Sequence, residues 1–147
     1  MYVENVLAQK DNHIWTLTPD DTVYEALLMM DRRNIGALLV MQNEKLIGIL
    51  SERDYARKII IKGKSSKETL VKEVMTNEVC YVDKKKKLDE CLAIMSDKRI
   101  RHLPVMEGNQ LIGLISIGDV VKSIISEQEI VIDDLYNYIH GVYYTPH

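Results

Sequence analysis

The most constraining feature of this chain is that it contains one segment twice. Residues 23–60 align without a gap on residues 88–125, and every aligned pair lies 65 positions apart. Identical residues in this alignment include the pairs Ile35/Ile100, Gly48/Gly113, Ser51/Ser116 and Asp54/Asp119. A copy of this length is too short to bury a core alone, and repeated units of this size usually stack to hide their apolar faces. We therefore expect the two copies to pack as one body.

Composition argues against several classes of partner. The chain has 147 residues, of which 46% are hydrophobic, and its formal charge of -3 offers no positive field for nucleic acid. Its apolar stretches are far shorter than the roughly 20 residues of a membrane span, and its first residues lack the pattern of a secretory signal. Cys80 and Cys91 lie in apolar patterns, which favours buried thiols in a reducing compartment. We expect a cytoplasmic protein that binds neither nucleic acid nor membrane.

Each copy has the same predicted order of elements. An apolar stripe at helical spacing begins at Val23 and again at Leu88. Two strands joined by a short turn follow in each copy, over 36–41 and 45–50 and then over 102–106 and 111–115. The second strand of each pair runs into a helix that starts near Ser51 or Ser116. The expected fold class is α/β (α+β), built from two β-α-β-β-α repeats.

The flanking segments complete the domain organisation. Val3, Val6 and Leu7 match Val71, Val74 and Met75 at an offset of 68, so a short helix should open each half. The first half then carries three extra residues around 9–12. A polar, flexible stretch near Gly63 is the natural linker, and a helical pattern over 126–141 follows the second copy. The predicted divisions are a first repeat with its N-terminal segment over 1–62, a linker over 63–70, a second repeat over 71–125 and a C-terminal helix and tail over 126–147.

The pattern Gly-x-x-Ser-x-x-Asp occurs in both copies, at Gly48–Asp54 and at Gly113–Asp119. One interpretation is a helix capping box, whose serine stabilises the helix by about 1 kcal/mol. Another is a ligand site, because a helix N-terminus with a serine hydroxyl attracts an anion. A carboxylate in that turn would repel a phosphate but can accept hydrogen bonds from the two hydroxyls of a ribose. Phosphate and ribose together indicate a nucleotide, and the sequence leaves both interpretations open.

The duplicated motif and the segment Arg99–Val105 before the second hairpin resemble tandem CBS domains, the pair also called a Bateman module. The resemblance extends from Val3 to Ile125 and is to the stand-alone bacterial type. It implies two repeats packed with pseudo-twofold symmetry and clefts between them that bind adenosine ligands such as AMP, ADP, ATP, S-adenosylmethionine or NAD(H). It also implies a regulatory module that requires no cofactor and is not an enzyme, with AMP as the favoured ligand.

The family's site can be carried onto two clefts of this chain. In the Asp119 cleft, the resemblance assigns the ribose to Asp119 and the phosphate to Ser116. It assigns the faces of the base to Leu114 and Ile35, close backbone approach to Gly36, and the adenine edge to the backbone of Ile14. Arg101 would stand at its entrance, and His102 lies on the same strand entry. In the Asp54 cleft, the corresponding residues are Asp54, Ser51, Ile49, Ile100, Arg101 and Val79, with Arg53 as a second cation. Gly118 stands where Arg53 stands, so the two clefts are not equal.

Three function classes follow. The first is a sensor that binds an adenosine nucleotide and signals energy or redox state to an unknown regulated protein. The second is a structural dimerisation adaptor without a ligand response. An enzyme is the third, although no base, nucleophile or metal set accompanies the clefts and the four histidines lack ligand spacing. We also expect a homodimer whose interface includes Met29, Ile94 and the C-terminal aromatic segment, because apolar helix positions exceed those one sheet needs.

Overall fold

The computed structural model describes residues 1–11 and 13–141. Its helices are α1 (Val3–Ala8), α2 (Val23–Arg33), α3 (Glu52–Tyr55), α4 (Val71–Val74), α5 (Leu88–Lys98) and α6 (Ile117–His140). Its strands are β1 (Thr16–Leu17), β2 (Ala37–Gln42), β3 (Lys45–Ser51), β4 (His102–Glu107) and β5 (Gln110–Ser116). A π-helical turn over Ala56–Ile60 continues α3. The mixed α/β (α+β) class is confirmed, as is the order of elements apart from the opening strand of the second repeat.

The two antiparallel hairpins have the same register. In the first repeat β2 pairs with β3 and places Val40 opposite Gly48, and a bulge follows at Met41. In the second repeat β4 pairs with β5 and places Val105 opposite Gly113, again with a bulge at the next residue. Because the bulge is repeated as well, residues that lie 65 positions apart in the sequence occupy equivalent backbone positions.

The opening strand differs between the repeats. In the first, β1 pairs in parallel with β2 through Leu17 and Val40. In the second, the equivalent contact is a single bridge between Val82 and Val105. Pro104 occupies the position of Leu39 and has no backbone N–H with which to extend the ladder. The predicted opening strand of the second repeat is therefore reduced to one bridge.

The opening helices are exchanged between the halves. Val3 and Val6 of α1 are buried in the core of the second repeat, and Val71 and Val74 of α4 are buried in that of the first. Backbone hydrogen bonds follow the same exchange, since the Val3 N–H donates to the Lys86 carbonyl and the equivalent Val71 N–H donates to that of Asp21. Each hydrophobic core is thus completed by a short helix from the other half of the chain.

The glycine shared by both hairpins receives this exchanged helix. A Cβ placed on Gly113 would lie 2.6 Å from Leu7 Cδ2, and one on Gly48 would overlap the Met75 sulfur. Leu7 and Met75 are a matched pair at the offset of 68. The glycines therefore permit the close approach that brings the two halves together.

The last helix runs without a break across the predicted boundary at 125/126. Ser116 caps its start and Gly141 ends it in the left-handed conformation, φ 67°. The distal half is exposed, with Ile132 64% and Tyr138 74% accessible. Among the described residues, no helix is both long enough and apolar enough to cross a bilayer. Tyr143 and Tyr144 of the predicted aromatic segment lie outside those residues.

The cysteines were expected to be buried. Cys91 is buried in the core of the second repeat, and burial raises the pKa of its thiol to about 11. Cys80 is half-buried. The prediction of a buried thiol is therefore confirmed for Cys91 and only in part for Cys80.

Candidate functional site

A cavity of about 300 Å³ lies between the two halves at the predicted Asp119 cleft. Seven of the predicted residues line it: Ile14, Ile35, Gly36, His102, Leu114, Ser116 and Asp119. The first three come from one half of the chain and the other four from the other half. The packing of the two halves therefore brings these seven predicted residues together around one cavity. Their role in binding stays a prediction.

The start of α6 forms the polar end of this cavity. The Asp119 N–H donates to Ser116 Oγ at 3.1 Å, and the Ser116 N–H donates to Asp119 Oδ2 at 2.9 Å. This reciprocal pair is a capping box, so the capping interpretation is correct as far as it goes. It leaves Asp119 at the cavity wall with its side chain 31% exposed, where the carboxylate remains accessible to a ligand.

A lysine that the sequence analysis did not single out also contacts this carboxylate. Lys10 Nζ donates to Asp119 Oδ2 at 2.9 Å and to the Leu114 carbonyl oxygen at 2.7 Å. Burial would raise the pKa of Asp119, but the hydrogen bond from the Ser116 N–H and the ammonium of Lys10 outweigh it and hold the pKa below its ordinary 3.8. The carboxylate is therefore ionised at neutral pH and ready to accept from hydroxyl groups.

The side walls of the cavity are apolar. Ile14, Ile35 and Leu114 are half-buried and line the cavity together with Trp15. Arg33 stacks on the Trp15 ring, with its guanidinium carbon 3.7 Å from the ring centre. Apolar walls suit the faces of a heterocyclic base, because contact between the base and these side chains removes the apolar surface of both from water.

Gly36 and His102 lie next to each other in the lining of the cavity. A Cβ placed on Gly36 would lie 3.5 Å from His102 Cε1 and meet nothing closer. Burial lowers the pKa of His102 below 6.5, the nearby charges of Lys10 and Arg101 lower it further, and Asp119 opposes them. His102 is therefore neutral at neutral pH, with one ring nitrogen able to donate and the other to accept.

Arg101 was predicted at the entrance of both clefts. Its side chain is exposed, and it is not among the residues that line the Asp119 cavity. Its carbonyl accepts a hydrogen bond from the Ile117 N–H at 2.8 Å, which fixes the start of α6. The predicted place of Arg101 at the entrance stays a prediction, and its backbone contact with the start of α6 was not foreseen.

The Asp54 cleft is more fully occupied by protein groups. Asp54 accepts from the Ser51 N–H at 3.0 Å and from Ser51 Oγ at 3.1 Å. Its other oxygen lies 3.1 Å from Lys58 Nζ and 3.4 Å from Thr76 Oγ1, and the side chain is only 15% exposed. Both oxygens already have partners, so this carboxylate is less available to a ligand than Asp119.

The other residues predicted for the Asp54 cleft are spread over several contacts. Arg53 donates to the Arg99 carbonyl at 2.7 Å and so joins the two repeats. Ile49 exchanges two backbone hydrogen bonds with Thr76, the residue after Met75. Val79 and Ile100 are half-buried. One guanidinium nitrogen of Arg53 is thus held by protein, and its predicted role as a second cation stays a prediction.

Eight residues line the cavity without having been predicted for it: Lys10, Asp11, His13, Trp15, Asn34, Leu7, Ala37 and Gly113. A signal for the first two was present, because they lie in the three-residue insertion around 9–12. That insertion separates α1, which packs on one repeat, from β1, which belongs to the other. A segment that crosses between two packed halves in this way necessarily passes their interface.

Comparison with known proteins gives consistent matches. The sequence model of the CBS domain matches residues 5–61 and 71–126. The chain is 43% identical over 135 residues to the mitochondrial CBS domain-containing protein CBSX3 of Arabidopsis thaliana, covering 88% of this chain and 65% of the relative. It therefore spans slightly less than two thirds of that protein. It is also 31% identical over 113 residues to the CBS domain-containing protein YhcV of Bacillus subtilis, covering 77% and 80% of the two chains.

Solved structures agree with the fold. A protein with CBS domains from Burkholderia ambifaria superposes with a TM-score of 0.85 at 48% identity, covering 87% of this chain and 96% of the other. A CBS-domain containing protein from Agrobacterium tumefaciens gives a TM-score of 0.80 at 34% identity, covering 84% and 98%. The two-repeat architecture is therefore shared along nearly the whole of both solved chains.

Proposed function

The chain belongs to the CBS domain family, and on that premise we propose that it is a regulatory module that binds an adenosine nucleotide in the Asp119 cleft. The observation that carries the proposal is the ionised Asp119 at the wall of a cavity between the repeats. Apolar side walls for a base lie beside it, and a capped helix N-terminus lies next to it. These are the three surfaces that a base, a ribose and a phosphate require.

Cavity size favours a mononucleotide. About 300 Å³ is at the lower end of the range for small-molecule sites, so AMP is the preferred candidate, ahead of ADP, ATP and the larger NAD(H). Neutral His102 at the same wall offers a donor to a phosphate oxygen. The Asp54 cleft is proposed as a secondary site, because Lys58 and Thr76 already hold its aspartate.

The proposed action is a shift in conformation. A ligand in the Asp119 cleft touches both halves of the chain and the start of α6, whose distal half carries exposed apolar residues among acidic ones. Binding that favours one arrangement of these parts changes the surface offered to a regulated protein. In this way the protein would sense the concentration of the nucleotide and so report the energy or redox state of the cell.

Calorimetric titration with AMP, ADP, ATP, NAD, NADH and S-adenosylmethionine tests the proposal. We expect AMP to bind and to stabilise the fold, by roughly 2.7 kcal/mol at 100 times its dissociation constant. Asp119→Asn should weaken AMP binding about tenfold, because a neutral acceptor replaces a charge-assisted one. Asp54→Asn is the matched control and should have a smaller effect.

A second variant separates binding from capping. Gly36→Ala should fold normally, since a Cβ at this position meets nothing closer than 3.5 Å, yet its methyl group takes up space at the cavity wall and should weaken binding. If no adenosine compound binds the unmodified protein, the structural adaptor becomes the better account. The capping boxes at Ser51 and Ser116 would then be the whole purpose of the duplicated motif. Turnover of any bound nucleotide would instead indicate an enzyme.

A further inference from the structure

Lys10 reaches the ligand cavity from the insertion that distinguishes the first half of the chain. Its ammonium bonds to the Leu114 carbonyl at 2.7 Å and to Asp119 Oδ2 at 2.9 Å, and both acceptors belong to the second repeat. The neighbouring Gln9 Oε1 accepts a hydrogen bond from the buried Ser123 hydroxyl at 3.1 Å. The inserted segment is therefore held against α6, with its lysine directed into the cleft.

The other cleft satisfies its aspartate by a different route. There Lys58 lies one turn after Asp54 on the same helical segment, and its ammonium also donates to the Val74 carbonyl at 2.8 Å. The residue equivalent to Lys58 in the second repeat is Ser123, which carries no charge. In the Asp119 cleft the cation is instead Lys10, from the segment that crosses between the two halves. Lys10 can therefore leave the carboxylate without disturbing the helix that carries Asp119.

A ribose whose two hydroxyls donate to both oxygens of Asp119 competes with Lys10 for Oδ2, the oxygen that the lysine holds. A displaced ammonium in a half-buried site needs another anion, because an unpaired charge removed from water is costly. Asp11 also lines the cavity, but it is exposed and its Oδ1 accepts from the His13 N–H. His102 is held neutral. A phosphate on the ligand supplies the missing anion, and an unphosphorylated nucleoside does not.

We propose that Lys10 makes the Asp119 cleft selective for phosphorylated adenosine compounds over adenosine itself. In the empty site it pairs with Asp119, and in the occupied site it pairs with the ligand phosphate while the ribose takes the carboxylate. The inference rests on the proposed nucleotide site and adds to it the residue that discriminates by phosphate.

The test compares AMP and adenosine by calorimetry in the unmodified protein and in Lys10→Met. The unmodified protein should bind AMP at least tenfold more tightly than adenosine, a factor that corresponds to about 1.4 kcal/mol. In Lys10→Met the preference for AMP over adenosine should shrink by about tenfold. Adenosine no longer has to displace a lysine from Asp119, and the AMP phosphate no longer pairs with one. Lys10→Arg keeps a cation and should retain most of the preference.

Controls make the outcome decisive. Lys72→Met removes an exposed lysine that pairs with Asp20 and does not line the cavity, so it should leave the ratio of the two affinities unchanged, and thermal unfolding confirms that each variant is folded. A wild-type ratio in folded Lys10→Met would overturn this inference while leaving the nucleotide site intact. Failure of both AMP and adenosine to bind the unmodified protein would overturn the proposed function and this inference with it.

Discussion

Two equivalent carboxylates in this chain have different surroundings. Asp54 and Asp119 occupy the same position of the repeat, and each forms a capping box with its serine. Asp54 is further held by a lysine on its own helical segment and by Thr76. Asp119 is held by Lys10, whose position in the sequence is 109 residues away. Because only one side chain from a distant part of the sequence pairs with it, Asp119 is the carboxylate to which a ligand can bind more readily.

The lowered pKa of Asp119 predicts a pH dependence of stability. Because its pKa in the folded protein is below the ordinary 3.8, Asp119 stabilises the fold above about pH 4, and this contribution is lost as the pH falls through the lowered value. For a pair about one third exposed, the contribution is about 1 kcal/mol or less. Chemical denaturation of the unmodified protein and of Asp119→Asn should show a constant difference at neutral pH that shrinks below about pH 4. A difference that is the same at all pH values would contradict it.

At the level of elements, the exchange of the opening helices determines how the halves meet. Leu7 of α1 packs on Gly113 of β5, and Met75, directly after α4, packs on Gly48 of β3. The second contact is tighter, since the Thr76 backbone carbonyl also lies near Gly48 and accepts from the Ile49 N–H at 3.1 Å. Backbone held by hydrogen bonds has less freedom to move aside than the end of a leucine side chain.

Alanine at these two glycines should therefore have unequal effects. Gly48→Ala places a Cβ 3.2 Å from the Thr76 carbonyl and against the Met75 side chain, so we expect a loss of roughly 1–3 kcal/mol. Gly113→Ala meets only the end of Leu7 and should cost less. Urea unfolding measures both, with Gly36→Ala as a control that should be nearly neutral. Equal losses at Gly48 and Gly113 would show that backbone contact is not the deciding term.

At the level of the whole molecule, apolar surface remains exposed on one end. Ile130, Val131, Ile132, Leu135 and Tyr138 of α6 are each more than half accessible. Met29 and Ile94 occupy equivalent positions on α2 and α5 and are half-buried. Several exposed apolar residues on one helical segment make it a candidate interaction site.

We predict a homodimer closed by a twofold axis, with Met29 and Ile94 in its interface. Light scattering at micromolar concentration should give twice the 17.0 kDa of one chain. Met29→Glu should split the dimer, because it buries an unpaired charge. Ile130→Glu on the exposed half of α6 shows whether that segment takes part. A mass of one chain, with and without AMP, would rule out the dimer.

The repeat, the order of most of its elements and the equivalence of Asp54 with Asp119 can be predicted from the sequence. These features are predictable because helix periodicity, strand length and capping are local properties that neighbouring residues encode. Three further features became visible only in the folded molecule: α1 and α4 exchange partners, Lys10 contacts Asp119, and the two clefts differ in how firmly their aspartates are held. Those outcomes depend on side chains brought together from distant parts of the chain by packing, and no local pattern records which of them will meet.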